Sequence, residues 1–215
     1  MIRAIIFDMD GVISDTQKLH ARVEERLLGK HGIRIKAKYI TENFSGVPTR
    51  DFFQDLFKEH NITADVDSVI KEKWKEMAAD AKSGVSAIHG AVELIDKLKI
   101  QGFKLGVASS SCRKYVDIVL SKLKVKEKFD VIVTMEDVKH GKPNPEIFLL
   151  AARKLRVLPK NCIVIEDGIS GIIAAKKAGM KSIAFVKATA IRSKYPADMI
   201  VDDLKLLVTE KNQYF

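Results

Sequence analysis

The apolar run Ile2-Arg3-Ala4-Ile5-Ile6-Phe7 leads straight into Asp8-Met9-Asp10-Gly11-Val12, and that junction restricts what the chain can fold into. The run is rich in β-branched residues and reads as a buried strand. Positions two apart in a strand share a face, and Gly11 lets the backbone turn sharply. Asp8 and Asp10 are therefore expected to emerge together at the carboxyl end of a strand. Carboxylates that close repel each other and lose hydration, a cost of several kcal/mol unless a cation or hydrogen-bond donors compensate. The competing reading makes Asp8 a helix cap and Asp10-Gly11 an ordinary turn. An EF-hand loop is excluded, because its sixth and twelfth positions, Gly and Glu in that motif, hold Ile13 and Leu19 here.

The length of 215 residues, 47% of them hydrophobic, suits one large domain or a core with a smaller insert. No apolar run reaches the roughly 18 residues of a membrane span, and the first meets Asp8 too early for a signal peptide. Cys112 and Cys162 lack metal-ligand spacing and are too few for a disulfide framework. A cytoplasmic protein is expected, with no membrane partner. The net charge of +9 comes from lysines spread along the whole chain. Without a basic stripe interleaved with aromatics, this reads as a solvated surface rather than a nucleic-acid footprint.

From Thr16 to about Gly84 the periodicity is helical. Leu19, Val23, Leu27 and Leu28 form one apolar face, Phe52, Phe53, Leu56 and Phe57 a second, and Val66, Val69, Ile70, Trp74 and Met77 a third, punctuated by Gly32 and Gly46. Lone Trp74 reads as packing. Beyond Gly84, helices (Val92–Ile100, about Lys114–Leu123, Pro145–Leu155, Ser170–Ala178) alternate with strands (Lys104–Ala108, Asp130–Val133, Cys162–Ile165, Ser182–Phe185). Alternation of this kind means βαβ units and a parallel sheet, an α/β fold whose ligands bind beyond the carboxyl ends of the strands. Reactive side chains do follow strands: Asp8 and Asp10 the first, Ser109 the second, Glu166-Asp167-Gly168 the run Ile163-Val164-Ile165. Lys142 lies in the loop His140-Gly141-Lys142-Pro143-Asn144-Pro145 before a helix.

Acidic groups on neighbouring strand ends make a hard oxygen site suited to Mg²⁺, and a lysine and a hydroxyl converging on it supply a fixed cation and a donor. These are the parts that phosphoryl transfer needs. A nucleotide P-loop is excluded, since Glu136 and Pro143 stand where that motif needs Gly and Ser or Thr. Cys112 lies near a helix N-terminus but is expected to be inert; His20, His31, His60 and His89 have no ligand spacing, and His140 reads as a loop residue.

The segments F-D-M-D-G-V, V-A-S-S-S, H-G-K-P-N-P and I-E-D-G-I-S-G stand in the order and rough spacing of the haloacid dehalogenase superfamily, and the chain resembles its branch of beta-phosphoglucomutase and sugar phosphatases. The resemblance implies a Rossmann-like parallel-sheet core with helices on both faces, residues 1–14 and 85–215, and an all-helical cap domain, residues 15–84, inserted after the first strand. It further implies that Asp8 is the nucleophile, that Asp10 is the acid and base, that Ser109 bonds the phosphoryl group and that Lys142 balances its charge. Mg²⁺ would be held by Asp8, Asp167 and the backbone carbonyl of Asp10, with Glu166 a ligand directly or through water. Hinges between cap and core are expected near Asp15-Thr16 and Ser83-Gly84.

The expected activity is a Mg²⁺-dependent, monomeric phosphatase of small phosphorylated metabolites, working through an aspartyl phosphate. A sugar phosphomutase is the alternative; a dehalogenase and a non-catalytic binding protein rank lower. His20, Arg50, Lys73, Ser110 and Arg113 are the candidate substrate contacts. Two departures weigh against the mutase: Arg50 is offset by one place from that enzyme's arginine, and Cys112 stands in place of its lysine.

Overall fold

The computed structural model describes residues 1–44, 47–186 and 192–208. Gly46, one of the two expected punctuation points, and the end of the expected core segment beyond residue 208 lie outside the described residues. Six strands form one parallel sheet in the order β3-β2-β1-β4-β5-β6. They are β1 (Ala4–Phe7), β2 (Lys104–Ser109), β3 (Val131–Thr134), β4 (Cys162–Glu166), β5 (Lys181–Phe185) and β6 (Met199–Val201). The first strand of the chain therefore lies in the interior of the sheet, between β2 and β4.

Strand alternation explains why β1 is apolar throughout. Ile5 and Phe7 point into one cluster with Leu105, Val107, Ile163 and Ile165, covered by α5 (Ala91–Ile100) and α6 (Arg113–Lys122). Ala4 and Ile6 point into another with Ala108 and Val164, covered by α7 (Glu146–Leu155) and α8 (Ile169–Lys177). A parallel sheet covered on both faces requires this two-sided burial. Among the described residues no helix is long and apolar enough to cross a membrane.

Between β1 and β2 the chain forms α1 (Gln17–Lys30), α2 (Ala37–Asn43), α3 (Thr49–Glu59) and α4 (Val66–Ser83). The outgoing and returning segments run side by side: Asp15 N–H donates to the Ser86 carbonyl at 2.9 Å and Ile88 N–H to that of Ile13 at 2.9 Å. Helix α4 packs on α6, which seats the helical block over the carboxyl end of the sheet. Phe53 is fully buried inside the block, with ring contacts to Phe52 at 5.1 Å and Phe57 at 5.8 Å.

Helix α2 and strand β6 were not expected. Helix α2 buries only Ile40, too little for a periodic signal, and β6 is a three-residue strand whose pairing with β5 depends on the sheet already being there. Asp130, expected to open the third strand, instead precedes β3 and accepts from the Leu105 N–H at 2.7 Å.

Truncating a buried aromatic leaves a cavity costing about 3–5 kcal/mol. Phe53→Ala is expected to destabilise the protein by that amount in urea denaturation. Leu206→Ala, at a half-exposed site, should stay within about 0.5 kcal/mol of the parent.

Candidate active site

The register of the sheet builds the site. Phe7 pairs with both Val107 and Ile165, so Asp8 and Glu166, each one residue further, leave neighbouring strands at the same level. Asp8 N–H still donates to the Ile165 carbonyl at 2.9 Å, which holds its side chain at the strand end. Lys142 enters from the loop before α7 and is buried there. Its Nζ donates to Asp8 Oδ1 at 2.6 Å, Glu166 Oε2 at 2.7 Å and the Ala108 carbonyl at 3.0 Å, so all three ammonium hydrogens have acceptors.

Asp8, Glu166 and Asp167 each offer a carboxylate oxygen, all within 4.8 Å of one another. One lysine does not balance that charge. Burial, then the neighbouring Glu166, push the Asp8 carboxyl up to about 8 against the pull of Lys142. Burial, then Glu166 and Asp8, raise Asp167 well above the usual carboxylate range. A further cation would relieve both, and a largely buried donor set made only of oxygens fits a hard divalent ion. Glu166 Oε1 accepts the backbone N–H groups of Asp167 (3.1 Å) and Gly168 (3.0 Å), leaving Oε2 to Lys142. Gln17 donates to Asp167 Oδ2 at 2.6 Å.

Asp10 faces a different environment. Oδ1 accepts the hydroxyls of Thr16 (2.6 Å) and Tyr115 (3.2 Å), and Oδ2 that of Ser111 (2.6 Å). His20 Nε2 stands 3.2 Å from Oδ1, in ion-pair range but out of hydrogen-bond alignment. Burial opposes ionisation of Asp10, but the His20 ring and the Ser111 and Thr16 hydroxyls outweigh it and bring the group down to about 2. Two carboxyls two residues apart are thus driven in opposite directions by what surrounds them.

Two glycines make the arrangement possible. Gly11 has φ of 92°, and a Cβ there would lie 2.1 Å from Asp167 Oδ2; a Cβ on Gly171, in the first turn of α8, would lie 1.9 Å from Glu166 Oε2. Both positions must stay empty for the acids to converge.

A cavity of about 140 Å³ opens over the cluster, walled on one side by Asp8, Asp10, Lys142, Glu166 and Asp167 and on the other by residues of α1 to α4. Of the expected substrate contacts, His20, Lys73 and Ser110 line it. Arg50 does not: it is exposed and paired with Asp67. Arg113 is likewise turned away, to the Ile132 carbonyl (3.1 Å) and Asp137. Ser109 is buried beneath the cavity, where its hydroxyl accepts the Ser111 N–H at 3.1 Å. Cys112 is buried with its thiol pushed up by desolvation, in keeping with an inert residue.

Thr16, Gln17, Ser111, Tyr115 and Glu24 are the residues sequence reasoning passed over. Glu24 lies one turn from His20 on the same helix face, a signal that could have found it. Tyr115 sits at a core spacing with Val116 and Val119, which hid its hydroxyl.

Residues 5–185 match the sequence profile of the haloacid dehalogenase-like hydrolases, and the chain belongs to that family. It is 32% identical over 182 residues to the phosphorylated carbohydrates phosphatase of Thermotoga maritima, a match covering 85% of this chain and 84% of that one. Among solved structures, the beta-phosphoglucomutase of Clostridium difficile superposes with a TM-score of 0.82 at 30% identity, over 96% of this chain and 93% of that one. CbbY from Rhodobacter sphaeroides, solved in complex with phosphate, gives 0.85 at 26% identity over 96% of each chain. Relatives named as phosphatases, the Thermotoga protein among them, support a phosphatase, while the Clostridium structure keeps a phosphomutase in view.

Gly171→Ala tests whether the cluster is spaced by that glycine. Alanine in a helix is favoured over glycine by about 1 kcal/mol, so a purely local effect would stabilise. Displacement of Glu166 should instead lower phosphatase activity by about 10–100-fold, read by steady-state kinetics beside a thermal melt.

Proposed function

We propose that the protein is a Mg²⁺-dependent phosphomonoester hydrolase of small sugar or polyol phosphates, acting through an aspartyl phosphate. The observation that supports this reading is the contrast between the surroundings of Asp8, beside Lys142 and Glu166, and those of Asp10, ringed by hydroxyls. Asp8, level with Glu166 and pinned by Lys142, is placed to attack an incoming phosphorus with a carboxylate oxygen. Asp10, ringed by hydroxyls, is placed to move protons. In the first half-reaction an Asp8 oxygen forms the new bond to phosphorus as the ester oxygen departs, taking a proton from Asp10, which must have gained one beforehand because its hydroxyl and His20 contacts favour the anion. In the second, water attacks the same phosphorus, gives its proton to Asp10, and the carboxylate of Asp8 is restored.

Lys142 holds the nucleophile in place and offsets charge on the phosphoryl oxygens. Ser110 lines the cavity on the side of the β2 loop, and Ser109, beneath it, supports that loop through Ser111. Asp8, Asp167 and Glu166 would hold Mg²⁺, with the Asp10 carbonyl as the expected fourth protein ligand. Bound there, the ion would neutralise excess carboxylate charge and act as a Lewis acid toward the phosphoryl oxygens.

Helices α1–α4 fit the role of a cap. Thr16 and His20, which help to hold Asp10 as an anion, sit at the start of this block, beside the paired crossings at Asp15 and Ser86. Movement of the block about those crossings would admit substrate and alter the proton affinity of Asp10 together. The Thermotoga relative's name supports phosphorylated carbohydrates as the substrate class.

The likeness to the Clostridium beta-phosphoglucomutase favours a second reading, transfer of the phosphoryl group to a sugar hydroxyl. Against it, Arg50 stands outside the cavity and Cys112 is buried, so neither supplies a grip on a distal phosphate. A panel of sugar and polyol phosphates, scored for both inorganic phosphate and isomerised sugar phosphate, separates the two. Phosphate release without a bisphosphate activator is expected. Faster conversion of β-glucose 1-phosphate to glucose 6-phosphate, stimulated by the bisphosphate, would select the mutase.

Asp8→Asn should abolish turnover while preserving the circular-dichroism spectrum, because the amide is nearly isosteric but a poor nucleophile. Metal binding is checked without turnover. Mg²⁺ at about 100 times its Kd adds about 2.7 kcal/mol of stability, a rise in Tm of roughly 5–10 °C for a chain of this size. Asp167→Asn should remove most of that rise.

A further inference from the structure

The cavity wall supplied by the helical block contains a buried ion pair that the chemistry above does not use. Lys73, on α4, is 1% exposed, and its Nζ donates to Glu24 Oε1 on α1 at 2.6 Å and to Thr49 Oγ1, at the start of α3, at 2.9 Å. Glu24, Thr49 and Lys73 all line the cavity, together with Trp74, whose ring centroid lies 5.1 Å from Nζ. The Trp74 Nε1–H is buried without a hydrogen-bond partner among the described residues. A buried indole N–H usually finds an acceptor, so one that lacks it in a cavity wall calls for a ligand atom.

The charges of this wall cancel. A lysine alone in a phosphatase cavity would attract a second phosphate; here its charge is matched by a carboxylate at hydrogen-bond distance. What remains is a set of neutral-sum donors and acceptors: the second oxygen of Glu24, the Thr49 hydroxyl, the Trp74 N–H and a third hydrogen on Lys73. Such a set matches hydroxyl groups, which donate and accept at once. A second phosphate placed there would meet the Glu24 carboxylate in a partly desolvated space, an encounter costing several kcal/mol.

We propose that Glu24, by neutralising Lys73, makes this wall a subsite for the uncharged hydroxyl-bearing tail of the substrate, so that the enzyme selects monophosphates of polyhydroxy compounds and rejects bisphosphates. The inference deepens the hydrolase reading and rests on it. Specificity then has an electrostatic origin: Lys142 and a cation held by the carboxylate wall would meet the one phosphate, and the opposite wall carries no positive charge to spare for a second. Building clashes of like charge against the wrong ligand is a common way to discriminate between otherwise similar ones.

Binding separates this inference from the reaction itself. Isothermal titration calorimetry on Asp8→Asn protein with Mg²⁺ would compare glucose 6-phosphate and glucose 1-phosphate with glucose 1,6-bisphosphate. Both monophosphates are expected to bind at least about tenfold more tightly than the bisphosphate, corresponding to about 1.4 kcal/mol. Adding Glu24→Gln keeps the side chain's size, frees the Lys73 charge and should narrow or invert that ratio by about tenfold. A pair that merely braced α1 against α4 would lower Tm and leave the ratio alone. The inference is overturned if the bisphosphate binds Asp8→Asn protein as tightly as the monophosphates, a measurement that needs no folded Glu24 variant. It is also overturned if Glu24→Gln folds and the ratio does not move. Wild-type hydrolysis of p-nitrophenyl phosphate, run alongside, reports on the hydrolase reading separately: its loss would sink that reading, whereas its presence with no discrimination would sink only the role of Glu24.

Discussion

Like charge gathered at the end of an interior strand is the constraint on which the rest of this structure depends. Asp8, Glu166 and Asp167 lie within 4.8 Å of one another, the first two buried and the third partly so. Lys142 is the one side-chain cation in contact with that cluster among the described residues, and every hydrogen of its ammonium group is used. The backbone contributes as well, through the N–H groups of Asp167 and Gly168 that cradle Glu166. Even so, burial and mutual repulsion keep Asp8 and Asp167 well above ordinary carboxylates, a strain that a further cation would relieve.

That concentration of charge also explains features far from the chemistry. Parallel register brings the ends of β1 and β4 level, so the repulsion cannot be relieved by sliding one strand past the other. Two-sided apolar packing of β1, with Ile5 and Phe7 toward α5 and α6 and Ala4 and Ile6 toward α7 and α8, anchors the strand against it. Gly11 and Gly171 are small because the carboxylates take the space a Cβ would need. The sheet stores the cost of the site in a rigid frame, and the same rigidity keeps the acids in fixed orientations.

Asp10 links frame and helical block. Ser111 and Tyr115 hold it from the sheet side, Thr16 and His20 from the start of the block, so its proton affinity depends on both. The same cavity has two walls of different electrical character. One is crowded with uncompensated carboxylate, and the other, with Lys73 matched to Glu24, is balanced.

Most of the frame was legible in the sequence. A six-residue apolar run ending in Asp-x-Asp-Gly, strands alternating with helices, and acidic pairs after strands are all local patterns, and local patterns are what strand and helix periodicity reveal. The four short segments that resemble the haloacid dehalogenase superfamily lie on those same strand ends, which is why Asp8, Asp10, Lys142, Glu166 and Asp167 could be named in advance. Helix α2 and strand β6 could not, since each buries too little by itself to leave a period. Nor could the fate of the arginines: Arg50 and Arg113 have the right chemistry for phosphate, but Asp67 and Asp137 lie nearer in space than the cavity does. The sequence by itself determined which groups carry charge and which strands carry them. Only the tertiary structure decided which charges cancel, because Glu24 meets Lys73 across 49 positions and Tyr115 meets Asp10 across 105, and Coulomb and hydrogen-bond energies depend on distance in space, not along the chain.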